Sequence, residues 1–306
     1  MTSTLFYTSE WMKSPLLQNL REEVDLVLRQ IIEQTPAHTV PELIDAMRYA
    51  VLNGGKRIRA LMHIALTEAL QGPRSDALLV GAAVECIHAA SLILDDLPIM
   101  DNATTRRGRP TLHRVVGPDG AVLTAMALVN LAYEILSRLP TVSATLSLDL
   151  VHDLAWSVGR SGLITGQWLD LHPPERTIET VDRIHRYKTA ILFEFITEAA
   201  GRLSQVSTME RSDLQRFGRY FGLAFQLLDD IVDVQATLQE ARKDVAKDVR
   251  RLTYFQIADW RAVLDRLQQV LNEAHRIATG SRWHATAQLF LEPMFVQVQA
   301  LREQHL

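Results

Sequence analysis

Apolar residues recur through most of the chain at the three- and four-residue spacing of amphipathic helices. In the first such segment the apolar positions are Leu16, Leu17, Leu20, Val24, Val27, Ile31 and Ile32. The same spacing predicts helices at 57–70, 76–95, 119–138, 143–169, 178–204, 210–238, 254–278 and 283–303. No stretch shows convincing apolar–polar alternation of a strand, so the pattern predicts an all-α protein.

Proline and glycine residues mark where the predicted helices begin and end. Pro15 and Pro41 each open a helix, and Asn53-Gly54-Gly55 closes the second one. Short connections contain Gly72-Pro73, Gly117-Pro118, Pro140 and Pro173-Pro174. Several segments are apolar most of the way round, as are helices at the centre of a large bundle. We therefore expect a single domain over residues 1–306, built from about ten or more helices.

Composition limits the classes of protein to which the chain can belong. With 306 residues, 47% of them hydrophobic, it can form one large domain or two small ones. The net charge of −4 gives no indication of nucleic-acid binding. The one cysteine, Cys86, lies in an apolar run and is expected to be a core residue rather than a nucleophile. A chain without a disulfide framework fits a cytoplasmic location.

Neither an export signal nor a membrane span is expected. The N-terminal residues lack a basic region followed by an apolar block, which a signal peptide requires. The most apolar segment, 77–94, contains Glu85 and His88 and leads directly into Asp95 and Asp96. A buried helix explains this segment better than a membrane span does.

Three aspartates and two arginines follow that segment. Asp95, Asp96 and Asp101 come before Arg106 and Arg107. Clustered carboxylates are costly to desolvate unless divalent cations lie between them, and oxygen ligands favour a hard ion such as Mg²⁺. Arginines just beyond them suit a phosphate group. A solvated acidic turn followed by a basic one is the alternative for this stretch taken alone.

A second acidic cluster lies in a later apolar segment. Asp229 and Asp233 are four residues apart, which places both carboxylates on one helix face. Like charges at this spacing destabilise a helix unless something binds between them. Two such clusters, each ending a buried segment, suggest facing walls of a metal–diphosphate site.

Cations occur near both clusters. Gly54-Gly55 comes before Lys56 and Arg59, so a flexible loop leads positive side chains onto a helix start, where phosphates bind. A glycine helix end followed by a solvated basic turn would have the same sequence. Lys188-Thr189 lies between the acidic clusters. The second cluster is followed by Lys243, Lys247, Arg250 and Arg251.

His88 lies seven residues before Asp95, on roughly the same helix face. A lone histidine in an apolar helix is more often a core residue than a ligand. Partners that bind phosphate would favour the functional interpretation.

In combination these segments resemble the trans-isoprenyl diphosphate synthases, a family of polyprenyl synthetases. The resemblance covers about residues 44–260 and lies, in order, in MRYAVLNGGKRIR, HAASLILDDLPIMD, RRGRPTLH, GLITGQWLDL, YKTAILF and FGLAFQLLDDIVD. It implies an all-α bundle around a central apolar cavity, the isoprenoid synthase fold, and a homodimer. The implied substrates are isopentenyl diphosphate and an allylic diphosphate (dimethylallyl, geranyl or farnesyl). The implied cofactor is Mg²⁺, as three ions with the allylic diphosphate.

The resemblance also assigns roles to individual residues. It implies that isopentenyl diphosphate is held by Lys56, Arg59, His88 and Arg107. It implies that the allylic diphosphate is held by Arg106, Lys188, Thr189, Gln226 and Lys243. The implied metal ligands are Asp95 and Asp101, with Asp96 beside them, and Asp229 and Asp233. These five aspartates and Lys188 are expected to be the catalytic residues.

The expected reaction is ionisation, condensation and elimination. Cleavage of the allylic C–O bond builds negative charge on the leaving diphosphate, which magnesium ions and fixed cations stabilise. The double bond of isopentenyl diphosphate attacks the allylic cation, and the departed diphosphate is the expected base. An apolar tunnel protects the cation from water.

The chain departs from the family pattern at several positions. Ala60 stands in place of a proline, Arg242 in place of a glycine, and Arg251 in place of a lysine. Ala125 and Met126 replace a Gly-Asp pair, which puts the local packing in doubt. None of these changes removes a predicted metal ligand.

Small residues before the first acidic cluster indicate a long product. Ala90 and Ser91 stand where farnesyl diphosphate synthases typically have a bulky aromatic residue. Such a residue would close the tunnel at a short depth and limit the length of the product. These residues, and two extra residues within the aspartate motif, resemble bacterial geranylgeranyl diphosphate synthases. We therefore expect a twenty-carbon product. Farnesyl diphosphate is the alternative, because the bulky Phe193 and Phe195 could shorten the tunnel.

Two other classes of protein are considered. A class I terpene cyclase also uses an Asp-rich helix, but it lacks an isopentenyl diphosphate site and carries an Asn/Ser/Glu motif in place of Asp229 to Asp233. A non-catalytic partner subunit of a heteromeric prenyl synthase usually loses its acidic motifs, and both are present here. The departures from the family pattern at Arg242 and Arg251 are the reason to retain the non-catalytic subunit as an alternative.

Overall fold

The computed structural model describes residues 10–34, 38–241 and 252–305, with only the backbone of 236–241. These residues form twelve α-helices: α1 Pro15–Glu33, α2 Pro41–Leu52, α3 Ile58–Ala69, α4 Arg74–Asp95, α5 Leu112–Ser137, α6 Ala144–Val158, α7 Leu163–Leu171, α8 Ile178–His185, α9 Ile191–Leu203, α10 Thr208–Ala241, α11 Trp260–Ala278 and α12 His284–His305. A π-helical turn, Arg186–Ala190, joins α8 to α9, and a 3-10 turn, Tyr254–Gln256, precedes α11. The predicted all-α class is confirmed.

One hairpin was not predicted. Strands β1 (Thr105–Arg106) and β2 (Arg109–Pro110) pair antiparallel. Each strand has two residues, which is too short for a period of two to be seen in the sequence. The hairpin carries the two arginines that follow the first acidic cluster, so it belongs to the candidate site.

Two predicted helices have the wrong bounds. The segment 143–169 is two helices rather than one, and Gly162, which lies between them, has non-helical angles (φ −139°, ψ −119°). The backbone at this glycine therefore departs from the helix before α7 begins. The predicted helix 254–278 begins only at Trp260, where the side chain of Asp259 accepts a hydrogen bond of 2.8 Å from the Ala262 N–H. That side chain is an N-cap, which fixes the start of the helix.

The chain divides into two compact units. The smaller unit consists of Leu16–Ile64 and Pro73–Val151, and the larger unit of Met1–Pro15, Ala65–Gly72 and His152–Leu306. In the smaller unit α4 packs against α5 and α2. In the larger unit α10 packs against α9, α11 and the π-turn. The expectation of a single domain over the whole chain stays a prediction.

Helix α4 is the buried helix of the smaller unit. Cys86 is fully buried there, and burial raises the pKa of its thiol to about 12, so the prediction of a core cysteine is confirmed. Ala60 on α3 packs close to α4, because a Cβ at Gly81 would lie 3.2 Å from the Ala60 Cβ. Ala60, which replaces the proline of the family pattern, therefore lies where α3 and α4 pack closely together.

Two of the described helices, α4 and α5, are long and apolar enough to cross a membrane by length and composition. In α4, 67% of the most apolar window is buried inside the protein, as expected of a core helix. In α5 only 28% is buried. Helix α5 is interrupted at Gly117, whose φ is +83°, and this agrees with the predicted break at Gly117-Pro118.

Candidate active site

The loop between α2 and α3 brings positive side chains to one place in the smaller unit. Gly54 and Gly55 have φ angles of +87° and +122°, which glycine adopts readily. A Cβ at Gly55 would lie 2.8 Å from Nη1 of Arg107, so a side chain there would displace this guanidinium. The same Nη1 donates a hydrogen bond of 2.6 Å to the Gly54 carbonyl oxygen. The hairpin arginine is thus held directly on the loop that carries Lys56.

The hairpin is tied to α2 and its loop at two further points. Arg109 donates to the side-chain oxygen of Asn53. The hydroxyl of Tyr49 donates a hydrogen bond of 2.7 Å to the carbonyl oxygen of Pro110. These bonds order a short hairpin that could not be stable alone.

His88 lies among the arginines of this unit. Its pKa is well below the ordinary value, first because burial removes water from it and then because Arg59, Arg107, Arg106 and Arg57 repel a further positive charge. His88 therefore lies within electrostatic reach of four guanidinium groups, two of which have acidic partners: Arg57 pairs with Glu85 and Arg106 with Asp96. Such surroundings suit an anionic ligand, and the assignment of His88, Arg59 and Arg107 to one diphosphate stays a prediction.

The first acidic cluster lies at the end of α4. Asp96 is buried and accepts hydrogen bonds of 2.7 to 3.0 Å from Nε and Nη2 of Arg106. Asp95 and Asp101 are half-buried, and the Asp101 N–H donates a bond of 2.9 Å to the Asp95 carbonyl oxygen. The sequence predicted metal binding for all three aspartates. The carboxylate of Asp96 is bonded to Arg106, and metal binding by Asp95, Asp96 and Asp101 stays a prediction.

In the larger unit, Lys188 and Thr189 lie in the π-turn. Such turns place an extra residue in a helix and often occur at functional sites. Gly166 of α7 allows the backbones to approach, because a Cβ there would lie 2.2 Å from the Lys188 nitrogen. Gly222 likewise allows the backbone of α10 to approach the π-turn, because a Cβ there would lie 2.5 Å from Cα of Ala190.

Both predicted side chains of the π-turn have protein partners. Lys188 forms an ion pair with Asp170, a buried residue of α7. The Thr189 hydroxyl donates a hydrogen bond of 2.6 Å to Oε1 of Gln226. Three residues that the sequence assigned to the allylic diphosphate (Lys188, Thr189 and Gln226) therefore lie around one turn of the chain.

The second acidic cluster lies on α10. Nε2 of Gln226 donates a hydrogen bond of 2.9 Å to Oδ1 of Asp230. Nε2 of His185 lies 3.1 Å from Oδ2 of the same carboxylate, a close contact without hydrogen-bond alignment. Asp230 is buried, whereas Asp229 is half-buried and Asp233 is exposed. The two predicted ligands, Asp229 and Asp233, thus have solvent access. Asp230, which lies between them in the sequence, contacts Gln226 and His185 inside the protein.

The donor chemistry at both clusters fits magnesium. Among the described residues, no three His, Cys, Asp or Glu side chains converge to enclose a metal by themselves. Each cluster offers two carboxylates that are not fully buried, and Mg²⁺ binds through one or two carboxylates together with phosphate oxygens. Lys243, also assigned to the allylic diphosphate, lies outside the described residues, as do Arg242 and Arg251.

Sequence reasoning assigned no role to several residues of the site. Asp170, Gly166 and Asp230 each contact a predicted site residue or its backbone, and His185 contacts Asp230. A buried acid such as Asp170 in an apolar helix signals a hidden cationic partner, because an unpaired buried charge is costly. The identity of that partner depends on the fold, so it cannot be predicted from the residues near Asp170 in the sequence.

The sequence model of one family, polyprenyl synthetase, matches residues 40–276, which is wider than the segment that carries the motifs. This chain belongs to the polyprenyl synthetase family. The predicted family is confirmed, and with it the enzyme class, a trans-prenyltransferase.

Curated plant proteins of this polyprenyl synthetase family are similar to the chain. Geranylgeranyl pyrophosphate synthase 7 of Arabidopsis thaliana is 39% identical over 243 residues, 77% of this chain and 70% of that protein. Geranylgeranyl pyrophosphate synthase of Capsicum annuum is 38% identical over 237 residues, 76% of this chain and 63% of that protein. The chain therefore spans about two thirds of the length of these relatives.

Bacterial polyprenyl synthetases have the same fold. An FPP/GFPP synthase from Zymomonas mobilis has a TM-score of 0.79 and 32% identity, covering 92% of this chain and 98% of its own. A geranyltransferase from Legionella pneumophila has a TM-score of 0.83 and 25% identity, covering 94% and 99%. These structures confirm the expected isoprenoid synthase fold.

Proposed function

We propose that this polyprenyl synthetase condenses isopentenyl diphosphate with allylic diphosphates and that its main product is geranylgeranyl diphosphate. The observation that carries the proposal is the group of guanidinium side chains around His88. Asp96 balances the charge of Arg106, whereas the pKa of Arg107 is lowered first by burial and then by the charge of Arg57. Positive charge brought together in this way supports a polyanionic ligand. The relatives named geranylgeranyl pyrophosphate synthase support the product.

In the proposed reaction, Lys56, Arg59, His88 and Arg107 hold the diphosphate of isopentenyl diphosphate. The guanidinium of Arg107 is held by its hydrogen bond to the Gly54 carbonyl oxygen. A second N–H edge of that fork can donate to a phosphate oxygen. The neutral state of His88 allows it to donate one N–H without adding charge.

Lys188 and Thr189 bind the allylic diphosphate in this proposal, with Gln226 and Lys243. Asp170 orients Lys188, and Asp230 orients the Gln226 amide so that its oxygen meets Thr189. Groups fixed in this way need no reorganisation when the leaving group gains charge, which is how preorganised sites accelerate a reaction.

Magnesium is the proposed cofactor, held by Asp95 and Asp101 in the smaller unit and by Asp229 and Asp233 in the larger one. Bound there, it would neutralise negative charge on the leaving diphosphate. The sequence predicted Asp96 as a metal ligand too. In this proposal Asp96 acts indirectly, because it fixes the position of Arg106.

The expected length of the product depends on two positions. Ala90 is a small residue buried in α4, and we propose that it faces the growing chain. Phe193, which could have shortened the product, packs its ring against Phe221 and Phe225 at centroid distances of 5.2 and 5.5 Å. This packing places Phe193 in an aromatic cluster of the larger unit.

The proposed active form is a homodimer. Helix α5 exposes apolar side chains on successive turns, with Leu123 61% and Met126 58% exposed, whereas Ala125 is buried. Apolar side chains that line up on a helix surface favour a protein partner. The departure at Met126 thus enlarges an exposed apolar face and leaves the buried side of α5 unchanged. The cytoplasmic location stays a prediction.

The release of inorganic pyrophosphate tests the proposal. With farnesyl diphosphate, isopentenyl diphosphate and Mg²⁺, the purified chain should release pyrophosphate, and omitting isopentenyl diphosphate or adding EDTA should stop the release. A terpene cyclase would release pyrophosphate from the allylic substrate alone. A non-catalytic subunit would release none. Either of these last two outcomes would overturn the proposal.

A further inference from the structure

Arg57 has an unusual backbone conformation for its residue type. Its φ is +55°, in the left-handed region that non-glycine residues rarely adopt. It follows Gly54 and Gly55, which also have positive φ, and it directly precedes α3. Such a conformation persists where the surroundings hold it. The side-chain contacts of Arg57 show what holds it.

The guanidinium of Arg57 is buried, with its side chain 4% exposed, and it donates to three acceptors. Nε donates a hydrogen bond of 2.8 Å to Asp25 of α1. Nη1 donates one of 3.3 Å to the buried carboxylate of Glu85 in α4. Nη2 donates one of 2.6 Å to the carbonyl oxygen of Val51 in the last turn of α2. One side chain therefore joins three helices of the smaller unit.

The position of these partners relates Arg57 to the proposed isopentenyl diphosphate site. Glu85 lies three residues before His88 on the same helix, so one end of the ion pair is fixed less than one turn from that histidine. Arg57 lies between Lys56 and Arg59 in the chain. The ion pair therefore connects the loop that carries these two cations to the helix that carries His88.

Arg57 is not suited to bind the diphosphate itself. Its side chain is nearly inaccessible, and Glu85 and Asp25 balance its charge. Arg107, by contrast, is exposed at the same loop. A buried guanidinium whose forked N–H groups meet three fixed acceptors is a structural clamp, and lysine cannot reproduce its geometry.

We propose that Arg57, through Glu85, is a positioning residue that sets the placement of Lys56 and Arg59 relative to His88, and so determines the affinity for isopentenyl diphosphate. The inference rests on the proposed function, because the diphosphate must bind at these cations. It assigns to Arg57 and Glu85 an effect on one of the two substrates rather than on stability alone.

The test is Arg57→Lys, which keeps the charge and loses the fork. We expect the KM for isopentenyl diphosphate to rise about tenfold or more, since a misplacement of about 1 Å in a positioning element can cost about 100-fold. The KM for farnesyl diphosphate should stay within about twofold. Equilibrium binding of isopentenyl diphosphate alone should weaken by the same factor as its KM rises.

Arg48→Lys is the matched control. Arg48 pairs with Asp45 on the surface of α2, where the two side chains are 39% and 71% exposed. Both KM values should be unchanged in this variant. If Arg57→Lys does not fold, Asp25→Asn tests the same clamp at its least buried partner, whose side chain is 35% exposed. In that variant the KM for isopentenyl diphosphate should still rise, by about threefold.

A purely structural role for Arg57 would give a different result. The melting temperature would fall while both KM values of the folded variants, including Asp25→Asn, equalled those of the wild type, and this would overturn the inference. An equal rise in both KM values would also overturn it. If the wild type neither bound isopentenyl diphosphate nor turned it over, the proposed function would fail before the inference was tested.

Discussion

Lys188 and Asp170 form an ion pair in which both side chains are largely shielded from solvent, at 20% and 6% exposure. The pair joins the π-turn to α7, and Gly166 on α7 lies directly against the backbone of Lys188. The position of this lysine is therefore set by the turn and by its partner. Asp170 is the residue through which the fold controls a cation of the proposed allylic site.

Replacing Asp170 with asparagine should impair use of the allylic substrate. The substitution keeps the shape of the side chain but removes the charge that orients Lys188. We expect kcat/KM for farnesyl diphosphate to fall about tenfold to a hundredfold, which corresponds to about 1.4 to 3 kcal/mol of transition-state stabilisation. Initial rates at saturating isopentenyl diphosphate measure this value.

Asp213→Asn is the control for that variant. Asp213 pairs with Arg216 on the surface of α10, with side chains 41% and 42% exposed, so its loss should leave the rate unchanged. An Asp170→Asn enzyme as active as the control would show that Lys188 does not depend on Asp170.

The two substrates should be separable by mutation. Arg59→Ala should raise the KM for isopentenyl diphosphate by about tenfold or more, because a charge-assisted contact to a phosphate is lost. Lys188→Ala should act mainly on the allylic substrate. Varying each substrate at a saturating concentration of the other measures both effects. If Arg59→Ala raised both KM values equally, or only that for the allylic substrate, the assignment would be wrong.

The thiol of Cys86 should be unreactive in the folded protein. Burial raises its pKa to about 12, so it remains a neutral thiol at ordinary pH. The unfolded chain ionises first, near pH 8.5, and the free energy of unfolding should therefore decrease as the pH rises from about 8.5 towards 12. A disulfide reagent should label no cysteine in the folded state and one per chain in guanidinium chloride. Rapid labelling of the native protein would contradict the buried position.

The helices were predictable because their signal is local and repeated many times. The apolar period, Pro41 and the glycines after α2 specify secondary structure without reference to the rest of the chain. The residues in acidic clusters were predictable for a similar reason, since the helical spacing of Asp229 and Asp233 determines that they share a face. The bounds of 143–169 were wrong because the backbone leaves helical angles at Gly162, and a single glycine within an apolar period does not by itself predict a break.

The supporting contacts could not be predicted from the sequence. Nothing near Arg57 indicates a left-handed backbone in a non-glycine residue, because that conformation is stabilised by Asp25 and Glu85, which are distant in the chain. The π-turn also has no clear signal, since one additional residue changes the apolar period very little. The sequence therefore indicates the residues of the proposed substrate sites better than it indicates the residues that position them.

Replacing Ala90 with tyrosine should shorten the product. Ala90 is 1% exposed, so a phenol ring there must occupy space that is now filled or reserved for the growing chain. Overpacking of this kind costs about 1 to 3 kcal/mol, and a tenfold change in rate requires about 1.4 kcal/mol. Extension from fifteen to twenty carbons should slow by about tenfold to a hundredfold. A variant that makes the twenty-carbon product at the wild-type rate would show that Ala90 does not face the chain.

The chain length of the wild-type product tests the central claim most directly. The purified enzyme is supplied with labelled isopentenyl diphosphate and, in turn, dimethylallyl, geranyl and farnesyl diphosphate, and the dephosphorylated products are separated by chromatography. The account predicts geranylgeraniol as the main product from each primer. Farnesol as the end product, with no extension of added farnesyl diphosphate, would contradict it.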